Sequence, residues 1–229
     1  MVENTNNCVF CEFKSDCFKA LNRLELELAD TKRVELKYKK GENIAKQGAF
    51  VTHILYLQKG LVKIYKEINK KNNLILNIFS GGNLIGLPNL FKNSTMHYSV
   101  AAIEDSVICA IDKKVIEEFI LSNGEFAKSV IESINNCTIY HYDKIVSTSY
   151  KQLPGRMADV LIHLSQNVHK SLKFKLSLSR KELGEFAGMS LMSSVKIIKD
   201  FEANNLIGEK NGWIEIKDIN KLIDISKNG

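Results

Sequence analysis

Cys8, Cys11 and Cys17 fall within a single stretch of ten residues, spaced C-x2-C-x5-C. Thiolates this close along a chain can converge on one soft metal centre, and soft sulfur donors select iron–sulfur clusters or zinc. Either centre wants a fourth ligand. A third chemistry is a thiol switch in which Cys8 and Cys11 close a disulfide. The five histidines (His53, His97, His141, His163 and His169) form no H-x-x-x-H or H-E-x-x-H group, and neither a phosphate loop nor a nucleophile elbow occurs. Nothing in this set provides the positioned nucleophile or acid–base pair that an enzyme needs.

A second constellation lies at 178–207, LSRKELGEFAGMSLMSSVKIIKDFEANNLI. Ser179 to Glu182 has the S-x-x-E form of a capping box and predicts a helix from Arg180. Leu183, Phe186 and Ala187 share one face of it. Gly188 breaks the helix, and Ser190 caps the next one. There Val195, Ile198 and Phe201 make an inward stripe, while Met192, Lys196 and Lys199 occupy another, open face. This is the helix-turn-helix pattern that lays its second helix in the major groove of DNA; an ordinary αα corner in a helical core is the other reading of the same residues. The expected DNA contacts are Ser179, Arg180, Ser190, Leu191, Met192, Ser193, Lys196 and Lys199.

The elements that must carry these residues are legible in outline. The predicted units are a cysteine-containing arm (1–20), a β-roll sensor (21–111), a long dimerisation helix (112–150) and a winged helix-turn-helix unit (151–229), an α+β chain. Strand-like runs at 34–38, 54–57, 61–65, 74–79, 99–103 and 107–111 are separated by glycines, as in a barrel or double-sheet roll. A short helix over 21–29 is expected to present Leu21, Leu24 and Leu28 on one side. The helical stretch after Asp112 is interrupted at Ser122-Asn123-Gly124. Beyond the break, Ala127, Val130, Ile131, Ile134, Thr138, His141 and Ile145 recur at spacings of three and four. So narrow a stripe is the seam of a helix pair, whose partner is either a helix within the chain or, equally, the same helix of a second subunit. Cys137, beside this seam, reads as a packing residue. Pro154 opens the next helix, with Met157, Val160, Leu161 and Leu164 as its apolar face. After the helix-turn-helix, Asn211-Gly212 between two strand-like runs predicts a hairpin, the wing.

Composition agrees with this outline. The 229 residues are 45% hydrophobic, enough for a real core, and the net charge is +6. From Tyr150 onward, 13 Lys and Arg face 9 Asp and Glu, so most of the positive excess lies in the last third, as suits a polyanion partner. No run of about 18 apolar residues occurs, and the first residues lack the layout of a signal peptide, so no membrane role and a cytoplasmic location are expected. Five cysteines in such a compartment serve as metal ligands, reactive thiols or core residues more often than as disulfides.

This order of parts resembles the Crp/Fnr family of bacterial transcription regulators over essentially the whole chain. GGNLIGLPNLF is similar to the glycine-containing segment of the family's cyclic-nucleotide-binding-like jelly roll, GRMADVLIHLS to its helix after the dimer seam, and 178–207 to its DNA-binding motif. The C-x2-C-x5-C arm resembles that of the oxygen-responsive Fnr branch, whose fourth cysteine lies at the end of the β-roll, where Cys109 stands here. The resemblance implies a 4Fe–4S cluster on Cys8, Cys11, Cys17 and Cys109. It also implies a homodimer with a seam including Val130, Ile131, Ile134, Thr138, His141 and Ile145, and a palindromic DNA operator. RNA polymerase is the further partner it implies. Oxygen or nitric oxide would damage the cluster and release the DNA. Zinc remains the alternative metal, and Cys109 read by itself is a buried strand cysteine.

The chain departs from the family in three places. Asn83 stands where the cyclic-nucleotide branch has a Glu, and Met96-His97 near its Arg-Ser pair, so a phosphate would lack its bidentate partner and cyclic AMP is not expected. Met192 and Lys196 stand where the family commonly has a Glu and an Arg that read bases, so the operator should differ. His141 stands where Fnr proteins carry an acidic seam residue whose repulsion keeps the cluster-free subunits apart. A neutral His repels less.

Overall fold

A computed structural model describes residues 7–69, 72–91 and 95–229; the first six residues of the expected arm lie outside them. By internal contacts the chain divides into two compact units. One comprises the residues up to Ile64 with Phe79–Ile139, and the other Tyr65–Ile78 with Tyr140–Gly229.

The first unit begins with α1 (Asp16–Lys19) and α2 (Arg23–Thr31). Asn22 starts α2 through a reciprocal capping box. Its side chain accepts from the Glu25 N–H at 3.0 Å, and the Glu25 carboxylate accepts from the Asn22 N–H at 2.7 Å. That start sets the helix phase, and Leu26 and Ala29 face inward. The expected Leu21–Leu24–Leu28 face is therefore corrected: Leu21 is buried, Leu28 is half-buried, and Leu24 is 76% exposed.

The β-roll follows. Strands β1 (Arg33–Tyr38), β3 (His53–Lys59), β6 (Asn83–Ile85) and β8 (Ser106–Asp112) form one sheet in the order β1-β8-β3-β6. Strands β2 (Asn43–Ala45), β4 (Leu61–Glu67), β5 (Asn73–Ser80) and β7 (Ser99–Ala102) form the other in the order β2-β7-β4-β5. All six predicted strands are present. The short strands β2 and β6 carry too few residues for an alternation to show. β8 is central, pairing antiparallel with β1 and β3, so that Cys109 lies opposite Glu35 on one side and Tyr56 on the other.

Asp112 caps α3 (Lys113–Ser122). The long helix α4 (Gly124–Tyr150) follows after one residue, Asn123. Asn123 does more than break the helix. Its carbonyl oxygen accepts from the Phe126 N–H at 3.0 Å, and its amide donates to the Glu25 carboxylate at 3.0 Å and to the Ala20 carbonyl at 3.1 Å. Below it, Phe18, Tyr56, Phe119 and Phe126 form an aromatic cluster, with centroids 4.9 Å apart for Phe18–Tyr56 and 5.7 Å for Phe119–Phe126. Cys17, Cys109 and Val130 belong to the same core. Val130 is thus corrected from seam to interior: it sits one turn after Phe126 and turns inward with it. Among the other seam candidates, Ile131, Ile134 and Ile145 are exposed and Thr138 and His141 half-buried.

The second unit holds the C-terminal part of α4, then α5 (Leu153–His163), which has Pro154 in its first turn and Met157, Val160 and Leu161 buried. A wider π turn covers Leu164–His169. Strands β9 (Lys173–Lys175), β10 (Ile207–Lys210) and β11 (Trp213–Ile216) form a sheet in the order β10-β11-β9, with α6 (Arg180–Ala187) and α7 (Leu191–Ala203) between β9 and β10. The predicted hairpin is present, with Asn211 and Gly212 both at positive φ, as a tight two-residue hairpin turn needs. The last helix, α8 (Ile219–Asn228), ends against Gly155 of α5. Asp159 of α5 gathers Lys151 (2.9 Å), Ser147 (2.5 Å) and Ser226 (2.5 Å), tying α4, α5 and α8 together. Among the described residues no helix is long and apolar enough to cross a membrane.

The His163 ring is buried between Tyr140 (centroid distance 4.4 Å) and the edge of Phe186 (5.8 Å), and its Nε2 has no hydrogen-bond partner. Burial, with the nearby Lys144 cation second, lowers its pKa from 6.5 to about 4. As pH falls between those values the unfolded chain takes up a proton that the folded unit refuses, so stability is present above 6.5 and is lost toward 4. The loss amounts to no more than about 3 kcal/mol. Urea unfolding at pH 7 and pH 5 should show this decline, and His163→Phe should flatten it.

Candidate nucleic-acid interface and cysteine cavity

The helix-turn-helix is assembled by short polar contacts and close backbone approach. Ser179 and Glu182 form the predicted capping box, with Glu182 N–H donating to Ser179 Oγ at 3.2 Å and Ser179 N–H to the Glu182 carboxylate at 2.8 Å. Gly188 ends α6 in the left-handed conformation at φ 64°, which favours a residue without Cβ. Ser190 caps α7, accepting from the Ser193 N–H at 3.1 Å. The buried face of α7 is Ser194, Ile197, Ile198 and Phe201; Val195, expected there, is half-buried at its edge. Ser194 is fully buried because its hydroxyl donates to the Arg180 carbonyl at 3.0 Å, pinning α7 to the first turn of α6.

The opposite face of α7 is open. Met192 is 83% exposed, and Leu191, Lys196 and Lys199 are exposed with it. Ser179 and Ser190 are also exposed, though as caps, and Ser193 is half-buried. Arg180 is placed differently from the expectation. Its guanidinium pairs with Glu209 of β10, so it fastens α6 to the wing instead of standing free. A partner 29 residues away left no signal in the local pattern.

Behind α6, Lys144 of α4 donates to the Phe186 carbonyl at 2.8 Å and lies 3.8 Å from the Phe186 ring centroid. Burial lowers its pKa to about 7, partly offset by Asp159. Arg156 of α5 donates to the Gly188 carbonyl at 3.3 Å, so the end of α6 is held by donors from two neighbouring helices.

In the first unit, Cys8, Cys11 and Cys109 line one small cavity, partly open to solvent, with Arg33, Tyr56 and Lys14 also in its walls. Cys109 comes from β8, and the two others from the arm. The arm is held by three further bonds: Cys8 N–H to Asp30 at 2.9 Å, Ser15 N–H to the Tyr56 hydroxyl at 2.9 Å, and Lys14 Nζ to the Val9 carbonyl at 2.7 Å. The Tyr56 hydroxyl in turn donates to the Phe13 carbonyl. The Cys11 sulfur lies 3.7 Å from the Gln58 amide. Burial pushes the Cys8 thiol up to about 12, against the opposing pull of Arg33, and burial raises Cys17 and Cys109 as well. Cys17 lies apart: α1 turns it into the aromatic core.

The donor chemistry is that of a sulfur-ligated centre, with three thiols lining one cavity and Cys17 in the adjoining core. Among the described residues no three His, Cys, Asp or Glu stand close enough, as placed, to hold a metal ion.

The cyclic nucleotide-binding domain family matches residues 35–123, and the Crp-like helix-turn-helix domain matches residues 155–225. Together they span well over half the chain, in the order in which the roll and the helix-turn-helix occur. The chain belongs to the Crp/Fnr family. Electron transport regulator A of Shewanella oneidensis is 23% identical over 223 residues, covering 94% of this chain and 88% of its own. The fumarate and nitrate reduction regulatory protein of Escherichia coli is 22% identical over 228 residues, covering 96% of this chain and 90% of its own. The solved structure of FixK2 from Bradyrhizobium japonicum matches with a TM-score of 0.77 at 16% identity, covering 84% of this chain and 96% of that one; this is a likeness of fold. The Crp/Fnr family is one of transcriptional regulators, not enzymes, and this member is a DNA-binding transcriptional regulator.

Within this Crp/Fnr reading head, Gly184 is a residue that periodicity passed over. A Cβ there would lie 2.9 Å from the Met189 carbonyl oxygen and 3.2 Å from that of Ser190. Helix propensity favours Gly184→Ala by about 1 kcal/mol. The clash is with backbone, though, and overpacking of this kind costs about 1–3 kcal/mol. The clash should win: Gly184→Ala lowers the midpoint of urea unfolding, and a midpoint at or above that of the parent would refute the close approach.

Proposed function

We propose that this regulator binds a palindromic operator as a homodimer, and that an oxygen- or nitric-oxide-sensitive 4Fe–4S cluster on Cys8, Cys11, Cys17 and Cys109 controls that binding. The observation that carries the sensing half is the shared cavity of Cys8, Cys11 and Cys109. The fumarate and nitrate reduction regulatory proteins among its relatives support the same reading. When bound, such a cluster supplies an air-labile crosslink between the arm and β8. Cys17, the fourth ligand in this reading, must leave its place in the core to join the other three. This couples ligand binding to the packing beside α4, since Phe18 lies 6.2 Å from Phe126 and Val130 is part of the same core. The arm's position thereby biases the long helix, a population shift between two states.

The exposed row Ile131, Ile134 and Ile145, with Ile139 and Tyr142, supplies the apolar surface of the dimer seam. His141 is half-buried with an unpartnered Nε2, and burial lowers its pKa. It is neutral at pH 7 and does not repel its counterpart. Metal-free protein should therefore elute from gel filtration as a dimer at neutral pH; a clean monomer would reject that role for His141.

On α7, Lys196 and Met192 face base edges and Lys199 faces phosphate. The apolar Met192 suits a thymine methyl. RNA polymerase is the downstream partner in this reading. The roll is not assigned to cyclic AMP. Asn83 donates to the Ser80 carbonyl at 2.8 Å and Met96 is buried beside Asn89, so neither position offers a carboxylate or a guanidinium.

Zinc in place of the cluster is the second reading, favoured by the same thiol set. Protein purified without air decides between them: a brown product with iron and acid-labile sulfide that bleaches in air supports the cluster, and a colourless product with one zinc supports the alternative. In DNA binding, Lys199→Ala should weaken all operators alike and reduce the salt slope by about 1. Lys196→Ala should instead change the preference among half-sites, and unchanged affinity for every operator would remove it from the contact set.

A further inference from the structure

Arg33 occupies an unusual place for a charged side chain. It opens β1, is 11% exposed, and lines the cavity that holds Cys8, Cys11 and Cys109. Its Nη1 lies 3.6 Å from the Cys109 sulfur. Its Nε donates to Asp30 Oδ1 at 2.9 Å, and the same oxygen accepts from the Cys8 N–H at 2.9 Å. Glu35, opposite Cys109 in the strand register, lies 3.8 Å from Nη1. One polar chain thus runs Cys8–Asp30–Arg33–Cys109, from the arm through α2 and β1 to β8. Sequestering a cation from water costs several kcal/mol unless it is well paired. An ion pair with Asp30 alone could form at the surface, whereas this guanidinium is turned toward sulfur.

We propose that Arg33 is the positioning residue of the sulfur centre: its cation offsets the negative charge that thiolate ligands bring into the cavity, and its bond to Asp30 holds the Cys8 backbone in reach of Cys109. The charge half rests on the cluster reading above; the tether half does not. Partners beyond the ligands orient them and tune the potential, which follows the net charge and the hydrogen bonds at sulfur. Without Arg33, Asp30 and Glu35 would face the sulfurs with Lys14 as the cavity's other cation. Reduction adds an electron to an already negative site, so losing the cation moves the potential down. Losing the Asp30 charge moves it up. Losing Arg33, which holds that carboxylate, or the Asp30 oxygen itself frees the Cys8 backbone.

The test uses full-length protein prepared without air, as the parent and as Arg33→Leu, Arg33→Lys, Asp30→Asn and Asp30→Ala. Redox titration should give a more negative midpoint for Arg33→Leu and a more positive one for Asp30→Asn, with Arg33→Lys close to the parent. Iron loss to a chelator should be about tenfold or more faster in Arg33→Leu. In cluster-free protein, Cys8 should be alkylated faster in both Arg33→Leu and Asp30→Ala; Asp30→Asn keeps an oxygen that accepts from the Cys8 N–H and should stay closer to the parent. A purely structural role would move both midpoints the same way or leave both alone, and that result overturns the charge assignment. Protein without iron and sulfide would end the cluster reading and the charge half with it; the tether then stands or falls on Cys8 alkylation, and parental rates in both Arg33→Leu and Asp30→Ala overturn it. Should Arg33→Leu fail to fold, Asp30→Asn carries the midpoint and Asp30→Ala the alkylation rate.

Discussion

The first unit depends on the burial of four aromatic rings from four elements. Phe18 comes from the end of the cysteine arm, Tyr56 from β3, Phe119 from α3 and Phe126 from α4. Each ring buries a large apolar surface, and their tilted and edge-on contacts are directional enough to set the angles between the elements they join. The consequence is mechanical. The arm is too short to build a core of its own, and its place is set by Phe18. Cys17 is adjacent to Phe18 and shares its burial, so this thiol of the arm is committed to packing. Tyr56 adds a polar clasp, since its hydroxyl serves both Ser15 and Phe13.

The second unit works by a different constraint, the close approach of backbones. Gly184 and Gly188 let the turn between α6 and α7 close without side chains in the way, and Ser194 exchanges what would be an unsatisfied buried hydroxyl for a bond to the Arg180 carbonyl. Lys144 and Arg156 then occupy the carbonyls of Phe186 and Gly188. With every inward group of α7 satisfied, its outward residues carry no structural duty. Met192, Lys196 and Lys199 are at liberty to vary without disturbing the fold.

Most of this was legible in the residues, and the misses share a cause. Caps and turns read well because each is local: Ser179 with Glu182, Ser190 with Ser193, and Asn211 with Gly212. The face of α2 read badly. Its leucines satisfy more than one helical phase, and the phase is chosen by Asn22, which was not recognised as a cap. Val130 stands at the edge of the stripe on α4, one turn after Phe126, and spacing alone does not tell that it packs inward with that ring. Arg180, Ser194 and Arg33 owe their roles to partners 29, 14 and up to 76 residues away. Spacing cannot report such contacts. The cysteine spacing was legible as chemistry, but not the separation of Cys17 from the other thiols. That follows from α1 beginning at Asp16 and swinging the next side chain into the core.

The long helix shows how one sequence serves two surfaces. Phe126 and Val130 face the interior at a spacing of four, and Ile131, Ile134, Ile139, Tyr142 and Ile145 lie outward beyond them. An isolated apolar residue on a helix is unremarkable, but a row of this length is more than a solvent-facing helix ordinarily carries. The two faces overlap at Val130 and Ile131, adjacent residues pointing about 100° apart. A change in how Phe18 and Cys17 pack therefore acts on the same turn at which the outward row begins. That adjacency lets a change at the arm bear on the exposed row without any long relay, because a packed core shifts between discrete arrangements instead of deforming smoothly.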